Sequence, residues 1–520
     1  MKVFVRGIAI IVLATYAACG VSVRTSDQAK VGAENSGDVV ELTLLQLNDV
    51  YEIAPVEGGK YGGMARVATI RQQLLKENPN TFTFLAGDFI SPSAIGTSMY
   101  QGKRINGAQM VAAMNSVGVD FVTFGNHEFD LGEQPLLDRM NESEFTWISS
   151  NIQHIVNGES KPFMKARSTM QEAQPESFVM KAKNSAGKEV RVGILAVTIG
   201  SNTPPYIRWS DPIESARRAH DQLKRQSDFI IGLTHLSIDE DRQLATQLPD
   251  LKLILGGHEH TNMMFKVGET IISKADANAR TVYIHRLRWS GKSLTICSEV
   301  KTVDATIAED SATARVVNEW TTRAYDGFRQ KGFEPSEVVA TVAEPLDGRE
   351  SSIRYRQTNL GSLIANAMIA AATNAKIAIF NSGSIRLDDQ LEGVVTQYDV
   401  IRTLPFGGKI LDVEMKGSLL QRVLDAGRAN TGRGGYLQYA GVRYDSTKKL
   451  WSVADKPVNA AEVYRVAVSD FLFSGNEQGI EFFKRENSDV VSVGEPSVSD
   501  ASDARRDIRL AVIGFLKKPK

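Results

Sequence analysis

Residues 83–93, TFLAGDFISPS, decide how this chain is read. An apolar run from Phe82 to Ala86, alternating with threonine, stops at Gly87 and a bare carboxylate, Asp88, with no basic residue beside it in sequence. A strand-end aspartate is ordinarily a turn former or a helix cap, so Asp88 gains meaning only in company. Four more strand patterns supply it. VVELTLLQL (39–47) ends in Asn48-Asp49, and DFVTF (120–124) ends in Gly125-Asn126-His127. DFIIGLT (228–234) ends in His235, and LKLILGG (251–257) ends in His258-Glu259-His260. Helical patterns lie between them, GAQMVAAMNSVG (107–118) and DPIESARRAHDQLKRQ (211–226). Buried strands alternating with amphipathic helices predict α/β layers, and such sheets bind ligands beyond the carboxyl ends of their strands.

All five strands deliver Asp, Asn or His to that edge. Carboxylate, amide and imidazole without cysteine suit Zn, Mn, Fe or Co, with Mg and Ca as harder alternatives. His258 and His260, two residues apart on extended chain, face the same side. One central carboxylate flanked by about six ligands predicts two ions bridged by Asp88, roughly 3.5–4 Å apart, able to activate a water and clamp a phosphoryl group.

The 520 residues allow two or three domains, and the composition, 42% hydrophobic and 23% charged, is that of a globular protein. With 60 basic and 61 acidic residues the formal charge is −1, which removes the general electrostatic case for nucleic-acid binding. MKVFVRGIAIIVLATYAACG (1–20) has early cations, an apolar core too short to span a bilayer, then small residues: a secretory signal over 1–19. Tyr16-Ala17-Ala18-Cys19 also resembles a lipoprotein box, with tyrosine at the position usually held by leucine, so Cys19 is a candidate lipid attachment point. Export to the periplasm or cell surface is the expectation. Residues 20–38 read as a polar tether.

The strand-end blocks Asp49-x-Tyr51, Gly87-Asp88-x-x-Ser91, Gly125-Asn126-His127-Glu128-x-Asp130, Thr234-His235 and Gly257-His258-x-His260 resemble the five blocks of the calcineurin-like metallophosphoesterases. GNHEFD with GDFISPS is similar to the 5'-nucleotidase and UDP-sugar hydrolase branch. The resemblance implies a four-layer β-sandwich flanked by helices over residues 39–305. It also implies roles: Asp88 bridges two divalent ions (Zn, Mn, Co or Fe), Asn126, His235 and His258 hold one, and Asp49 and His260 hold the other. His127, oriented by Asp130, would stabilise the transition state and the leaving oxygen. His154, His220 and His285 match no block and are read as surface or structural residues.

Residues 306–335 read as a helical connector, and a second α/β region follows over 336–520. Arg354, Arg386 and the turn at Asn381 suit phosphate oxygens, although arginines are mostly solvated. Phe406 and Phe471, beside glycines in polar turns, are either core plugs or faces that stack a flat ring. Arg354-x-x-x-x-Asn359-x-Gly361, Asn381-Ser382-Gly383-x-Ile385-Arg386, Pro405-Phe406-Gly407-Gly408 and Phe471-Leu472 resemble the 5'-nucleotidase C-terminal domain. That resemblance implies a nucleobase between Phe406 and Phe471, with Arg354, Arg386 and Asn381 holding the rest of the nucleotide. Arg349 is a weaker addition, and Glu477 stands nearest to the sugar-binding aspartate of the family.

Two departures matter. The family's first block reads Asp-x-His, and here Tyr51 replaces the histidine. Three outcomes follow: a weaker second metal site, a tyrosinate on a harder ion, or another group filling the gap. Glu477 with Asn476 replaces the family's Gly-Asp turn, so the carboxylate that would accept the ribose hydroxyls stands one methylene farther out. The chain is thus expected to be an exported hydrolase that removes phosphate from nucleoside 5'-monophosphates or related nucleotides by attack of metal-activated hydroxide, with no obligate protein partner. The alternatives are a phosphodiesterase or nucleotide-sugar hydrolase on the same scaffold, and a non-catalytic nucleotide-binding lipoprotein.

Overall fold

The computed structural model describes residues 22–24, 39–167, 170–497, 499–500 and 502–518. Signal, lipid-box cysteine and most of the tether lie outside those residues. Among the described residues no helix is long and apolar enough to cross a membrane.

The first domain is built on two stacked sheets. In one, Val40–Leu47, Thr81–Ala86, Phe121–Thr123 and Thr146–Trp147 run parallel, with Thr281–Trp289 antiparallel to Val40–Leu47 and Leu294–Thr302 antiparallel to Thr281–Trp289 beyond it. In the other, Glu189–Thr198, Phe229–His235, Leu251–Gly256 and Thr270–Lys274 run parallel, edged by the antiparallel strands Ser177–Lys183 and Met263–Val267. Side chains alternate along each strand. Leu42, Leu44 and Phe84 meet Ile194, Leu233 and Leu255 in one core between the sheets. Leu45 and Leu85 point outward onto the helices Met64–Glu77 and Ala108–Val117, while Ile230 and Ile254 meet Pro212–Leu223 and Ile238–Gln247. The layers are therefore helix, sheet, sheet, helix. Strands covered on both faces explain the near-continuous apolar runs in the sequence.

Local signals set the helix ends. Asp211 caps the first of the second pair, its side chain accepting from the Glu214 N–H at 2.9 Å with Pro212 in the first turn. Within the expected connector, Asp310 caps Ser311–Gln330 in the same way. That helix packs Val317, Ala324 and Phe328 into a core continuous with both domains. The second domain is a five-stranded mixed sheet, ordered Leu437–Ala440, Ile377–Asn381, Val463–Ser469, Ile410–Lys416, Val490–Gly494. Helix Asn359–Ala371 covers one face and Gly417–Ala429 the other.

The three histidines outside the motif blocks are structural, and none is on the surface: His154, His220 and His285 are 6%, 2% and 0% exposed. His285 donates Nε2–H to Gln46 Oε1 (3.0 Å) and accepts at Nδ1 from Ser298 Oγ (2.7 Å). Burial pushes its pKa down to about 3. The unfolded chain takes up a proton there below about pH 6.5 and the folded chain does not, so stability is lost as pH falls. His285→Gln should therefore flatten the fall in unfolding free energy between pH 6 and 4 by about 1.4 kcal/mol per pH unit. Denaturant titrations at several pH values check this; parallel slopes for parent and variant would assign the acid sensitivity elsewhere.

Candidate metal and phosphoester site

The carboxyl ends of the central strands of both sheets meet at one cluster. Asp88 Oδ1 accepts the His127 N–H at 2.8 Å, and its Oδ2 lies 3.2 Å from both His235 Nε2 and Tyr51 Oη. Asp49 Oδ2 accepts from the Asn48 side chain and the His258 N–H, each at 2.9 Å. Its Oδ1 is 3.4 Å from His260 Nε2. Ligand atoms of Asp49, Asp88 and His235 lie within 4.8 Å of one another, and the rings of His235 and His258 are 5.3 Å apart. His127 Nδ1 is 2.8 Å from Asp130 Oδ2.

These residues fit divalent ions on chemical grounds. His235 donates Nδ1–H to the Ala86 carbonyl (2.8 Å), which leaves Nε2, buried, 3.2 Å from Asp88 Oδ2 and without an aligned hydrogen bond, as the atom that meets either a proton or a cation. Asn126 Oδ1 is likewise buried and unpartnered. A buried polar atom left without a partner is costly, and a cation supplies one. The charges agree. Asp49 and Asp88 are 0% and 1% exposed, and among the described residues neither has a lysine or arginine ion pair. Burial opposes a charge on His235, yet Asp88 and Asp49 push its pKa up to about 9. Burial likewise raises the Asp88 pKa, but His235 and His127 hold it well below the usual carboxylate range. The cluster asks for positive charge.

The motif residues between the ligands hold the loops. Glu128, fully buried, accepts the backbone N–H groups of Asp88, Phe89, Ile90 and Gly125, at 2.9, 2.8, 3.1 and 2.5 Å. It ties the Asp88 loop to the Asn126-His127 loop. A Cβ on Gly125 would lie 2.0 Å from Asp88 Oδ1, which is why that block needs glycine. Asp49, Asp88 and His258 all have left-handed backbone, with φ of 51°, 56° and 81°, a strained state that surrounding bonds must enforce. Behind His258 and His260, the buried Lys274 pairs with Asp241 (2.9 Å) and with Glu259. Glu128 lay inside a motif and could have been read as a brace. Lys274 had no sequence signal.

Tyr51 is in the cluster. Its hydroxyl lies 3.2 Å from Asp88, 3.4 Å from Asp49 and 3.1 Å from His260 Nε2. Burial, then Asp88 and Asp49, raise the phenol well above its ordinary pKa of 10. In this setting it is a proton donor.

The second domain reaches the same place. Arg386 Nη1 is 3.4 Å from His127 Nε2, and its guanidinium stands 5.7 Å from the centre of the Phe406 ring. Phe406 and Phe471 are 54% and 48% exposed, so neither is a core plug. Their turns adjoin: one residue inside Gly408 and Phe471, the Asp470 N–H bonds the Lys409 carbonyl (3.0 Å) and the Lys409 N–H bonds the Asp470 carboxylate (2.9 Å). Asn381 accepts from Ser384 Oγ at 2.7 Å and bonds the side chain of the half-buried Glu477. Arg354 pairs with Glu350 at 2.6 Å. Arg349 is held bidentately by Asp347, at 2.8 and 2.9 Å.

Comparison with known proteins follows the same division. The calcineurin-like phosphoesterase family matches residues 42–262, and the 5'-nucleotidase C-terminal domain family matches residues 338–485. The chain is 27% identical to the 5'-nucleotidase of Mus musculus over 514 residues, covering 86% of this chain and 84% of that one. It is 26% identical to the trifunctional nucleotide phosphoesterase protein YfkN of Bacillus subtilis, covering 84% of this chain and 32% of that one. Its fold is that of the 5'-nucleotidase precursor from Thermus thermophilus, with TM-score 0.72, 23% identity, and 92% and 96% of the two chains covered.

Replacing Tyr51 tests what the phenol contributes. Neutral imidazole offers a lone pair, whereas this phenol must first lose a proton it holds tightly. Tyr51→His should tighten a divalent ion beside Asp49 and His260 by at least about tenfold, on the order of what a single partner of a metal-bound histidine contributes, because the imidazole adds a ligand. Titration of apo-protein with Zn or Mn checks this. A visible charge-transfer band in the ferric parent, lost in the variant, would instead identify a tyrosinate ligand.

Proposed function

Because the chain belongs to the 5'-nucleotidase family, with a calcineurin-like phosphoesterase domain followed by a 5'-nucleotidase C-terminal domain, we propose that it is an exported enzyme releasing phosphate from nucleoside 5'-monophosphates. The observation that carries this reading is one guanidinium, Arg386, standing between the ligand cluster and an exposed phenylalanine. A phosphate at the cluster and a flat base on the ring can then be held at once.

In this reading Asp88 would be shared by two divalent ions, Asn126, His235 and His258 would hold one, and Asp49 and His260 the other, with Tyr51 beside it. Bound divalent ions would supply an activated water and neutralise phosphoryl charge. The chain's own groups do the rest. Arg386 and Arg354 bind phosphate oxygens, and the excess positive charge makes up for desolvating them. His127, held at Nδ1 by Asp130, gives its Nε2 proton to the nucleoside oxygen as the P–O bond breaks. Asp130 stabilises the imidazolium before that transfer. Phe406 and Phe471 stack the base, and Asn381 and Glu477 face the sugar. The signal over residues 1–19 and a lipid on Cys19 belong to the same proposal.

Phosphate release from a panel of nucleoside monophosphates, nucleotide sugars and cyclic nucleotides tests the reading, after chelation and re-addition of single metals. The chelated chain should be inactive and the reloaded chain most active on 5'-monophosphates. Asp88→Asn and His258→Ala should each lose more than about a thousandfold, since catalysis depends on ions holding the attacking water. Losses within about tenfold in folded, loaded variants would remove the dinuclear mechanism. Preferential turnover of sugars or cyclic nucleotides would favour the phosphodiester alternative, and a chain that takes up no ion would favour the binding protein.

The exposed rings generate a second test. Base–aromatic stacking contributes about 1–3 kcal/mol, so Phe406→Ala and Phe471→Ala should each lower kcat/KM for nucleotides by about 5- to 150-fold. Hydrolysis of a small artificial phosphate ester, which has no base, should change less than about threefold. Equal losses on both substrates would mean the rings support structure instead.

A further inference from the structure

One turn of the second domain contacts the metal cluster at two points, and only one of them is explained by phosphate binding. Arg386 faces His127. Two residues on, Asp388 Oδ2 accepts from Nδ1 of His260 at 2.7 Å, the nitrogen on the far side of the ring from Asp49 and Tyr51. The partners are 128 residues apart and belong to different domains.

The turn is built to aim this carboxylate. Asp388 is buried and has left-handed backbone, φ 49°. Its other oxygen, Oδ1, accepts the Glu350 N–H at 2.8 Å, which fixes the carboxylate plane. On one side Arg386 N–H bonds the Thr403 carbonyl (2.9 Å) and Leu387 is buried in the core. On the other, Asp389 is buried and paired with Arg402 at 2.8 Å. Strain of this kind persists only where the surroundings over-determine it. Glu350 adds a second carboxylate oxygen 3.5 Å from the same His260 nitrogen while holding Arg354.

We propose that Asp388 is a positioning residue for His260, supplied by the nucleotide-binding domain, and that it couples ion binding to the seating of that domain. This rests on reading His260 as a metal ligand. With Nδ1–H donated to Asp388, the imidazole is fixed as the tautomer whose Nε2 lone pair faces Asp49. A carboxylate behind a ligating histidine orients the ring and raises its basicity, and its loss typically weakens metal binding 10- to 100-fold. Because the carboxylate and the histidine lie on different domains, the coupling is reciprocal. An ion on His260 polarises Nδ1–H, strengthens its bond to Asp388 and favours the docked domain. A docked domain in turn strengthens the ion site.

The test uses the full-length chain, apo-protein titrated with Zn or Mn by calorimetry, with amide exchange followed at residues 384–390. In the parent, saturating ion should slow exchange across that turn. In Asp388→Ala the weaker ion should bind about 10- to 100-fold less tightly, the tighter ion should be within about threefold of the parent, and the ion-dependent slowing should vanish. Asp388→Asn, whose amide oxygen still accepts from Nδ1, should lose less than the alanine variant. If Asp388→Ala does not fold, the parent exchange measurement still decides: no ion-dependent slowing at 384–390 overturns the coupling. A parent that binds two ions while folded Asp388→Ala binds both within about twofold overturns the positioning role alone. A parent that binds no ion overturns the metallohydrolase reading and this inference with it.

Discussion

Two carboxylates are buried at the mouth of the sandwich with no lysine or arginine paired to them among the described residues, and most of the surrounding structure answers that constraint. Asp49 and Asp88 are almost inaccessible, and isolated buried charges are prohibitively costly. The fold offsets part of that cost with backbone N–H groups, from His258 to Asp49 and from His127 to Asp88. Imidazoles contribute more. What remains is a surplus of electron-rich atoms converging on one point, the two carboxylates and Asn126 Oδ1 among them, with His235 Nε2 holding a proton until a cation replaces it, and divalent ions are the groups that such a surplus accepts.

Holding that arrangement demands unusual backbone. Three residues of the cluster sit in left-handed conformation, which aspartate and histidine tolerate better than most side chains but still adopt at a cost. The restraint comes from buried polar braces. Glu128 collects four N–H groups from two loops, and Lys274 pins Glu259 between the two histidines of its block. Burial and then Asp88 push the Glu128 pKa up to about 7, while the N–H groups pull it down. Four donors converging on two oxygens are served best by the ionised form. A cation in the cluster would offset Asp88 and lower that pKa further.

The layers and the residues that gather at the cluster were legible because each motif residue sits at the end of its own strand, where sequence adjacency and spatial position coincide. The α/β reading follows from strands covered on both faces, as in Leu253-Ile254-Leu255, whose side chains alternate between two cores. The braces were not legible. Lys274 and Asp241 lie on segments that nothing in their own neighbourhoods marks, and Glu259, although inside a histidine block, gives no sign there of the lysine it pairs with. His154, His220 and His285 left surface and interior both open, and the sheets settled it by burying them. Phe406 and Phe471 likewise carried two readings, and only their exposure separates a stacking face from a core plug. Asp388 was hidden for a different reason: its importance depends on how one domain sits on the other.

That docking has its own polar signature. Tyr398 of the second domain donates to the buried Glu52, one residue beyond Tyr51, at 3.1 Å. Burial pushes the Glu52 pKa up to about 7, against the pull of Arg402 and the Tyr398 bond. Beside it the apolar core runs without a break from Ile53 through Phe328 to Ile401. Any motion that carries the phenylalanine turns away from the ligand cluster must therefore either keep this contact and pivot around it, or expose a carboxylate and an apolar seam together. The first is far less costly, since apolar exposure alone amounts to about 25 cal/mol per Å². Residues near Glu52 and Tyr398 are thus the contact that such a motion would keep. The Arg386–Asp388 turn, held by polar contacts to His127 and His260, is the part that a change of charge in the cluster can release.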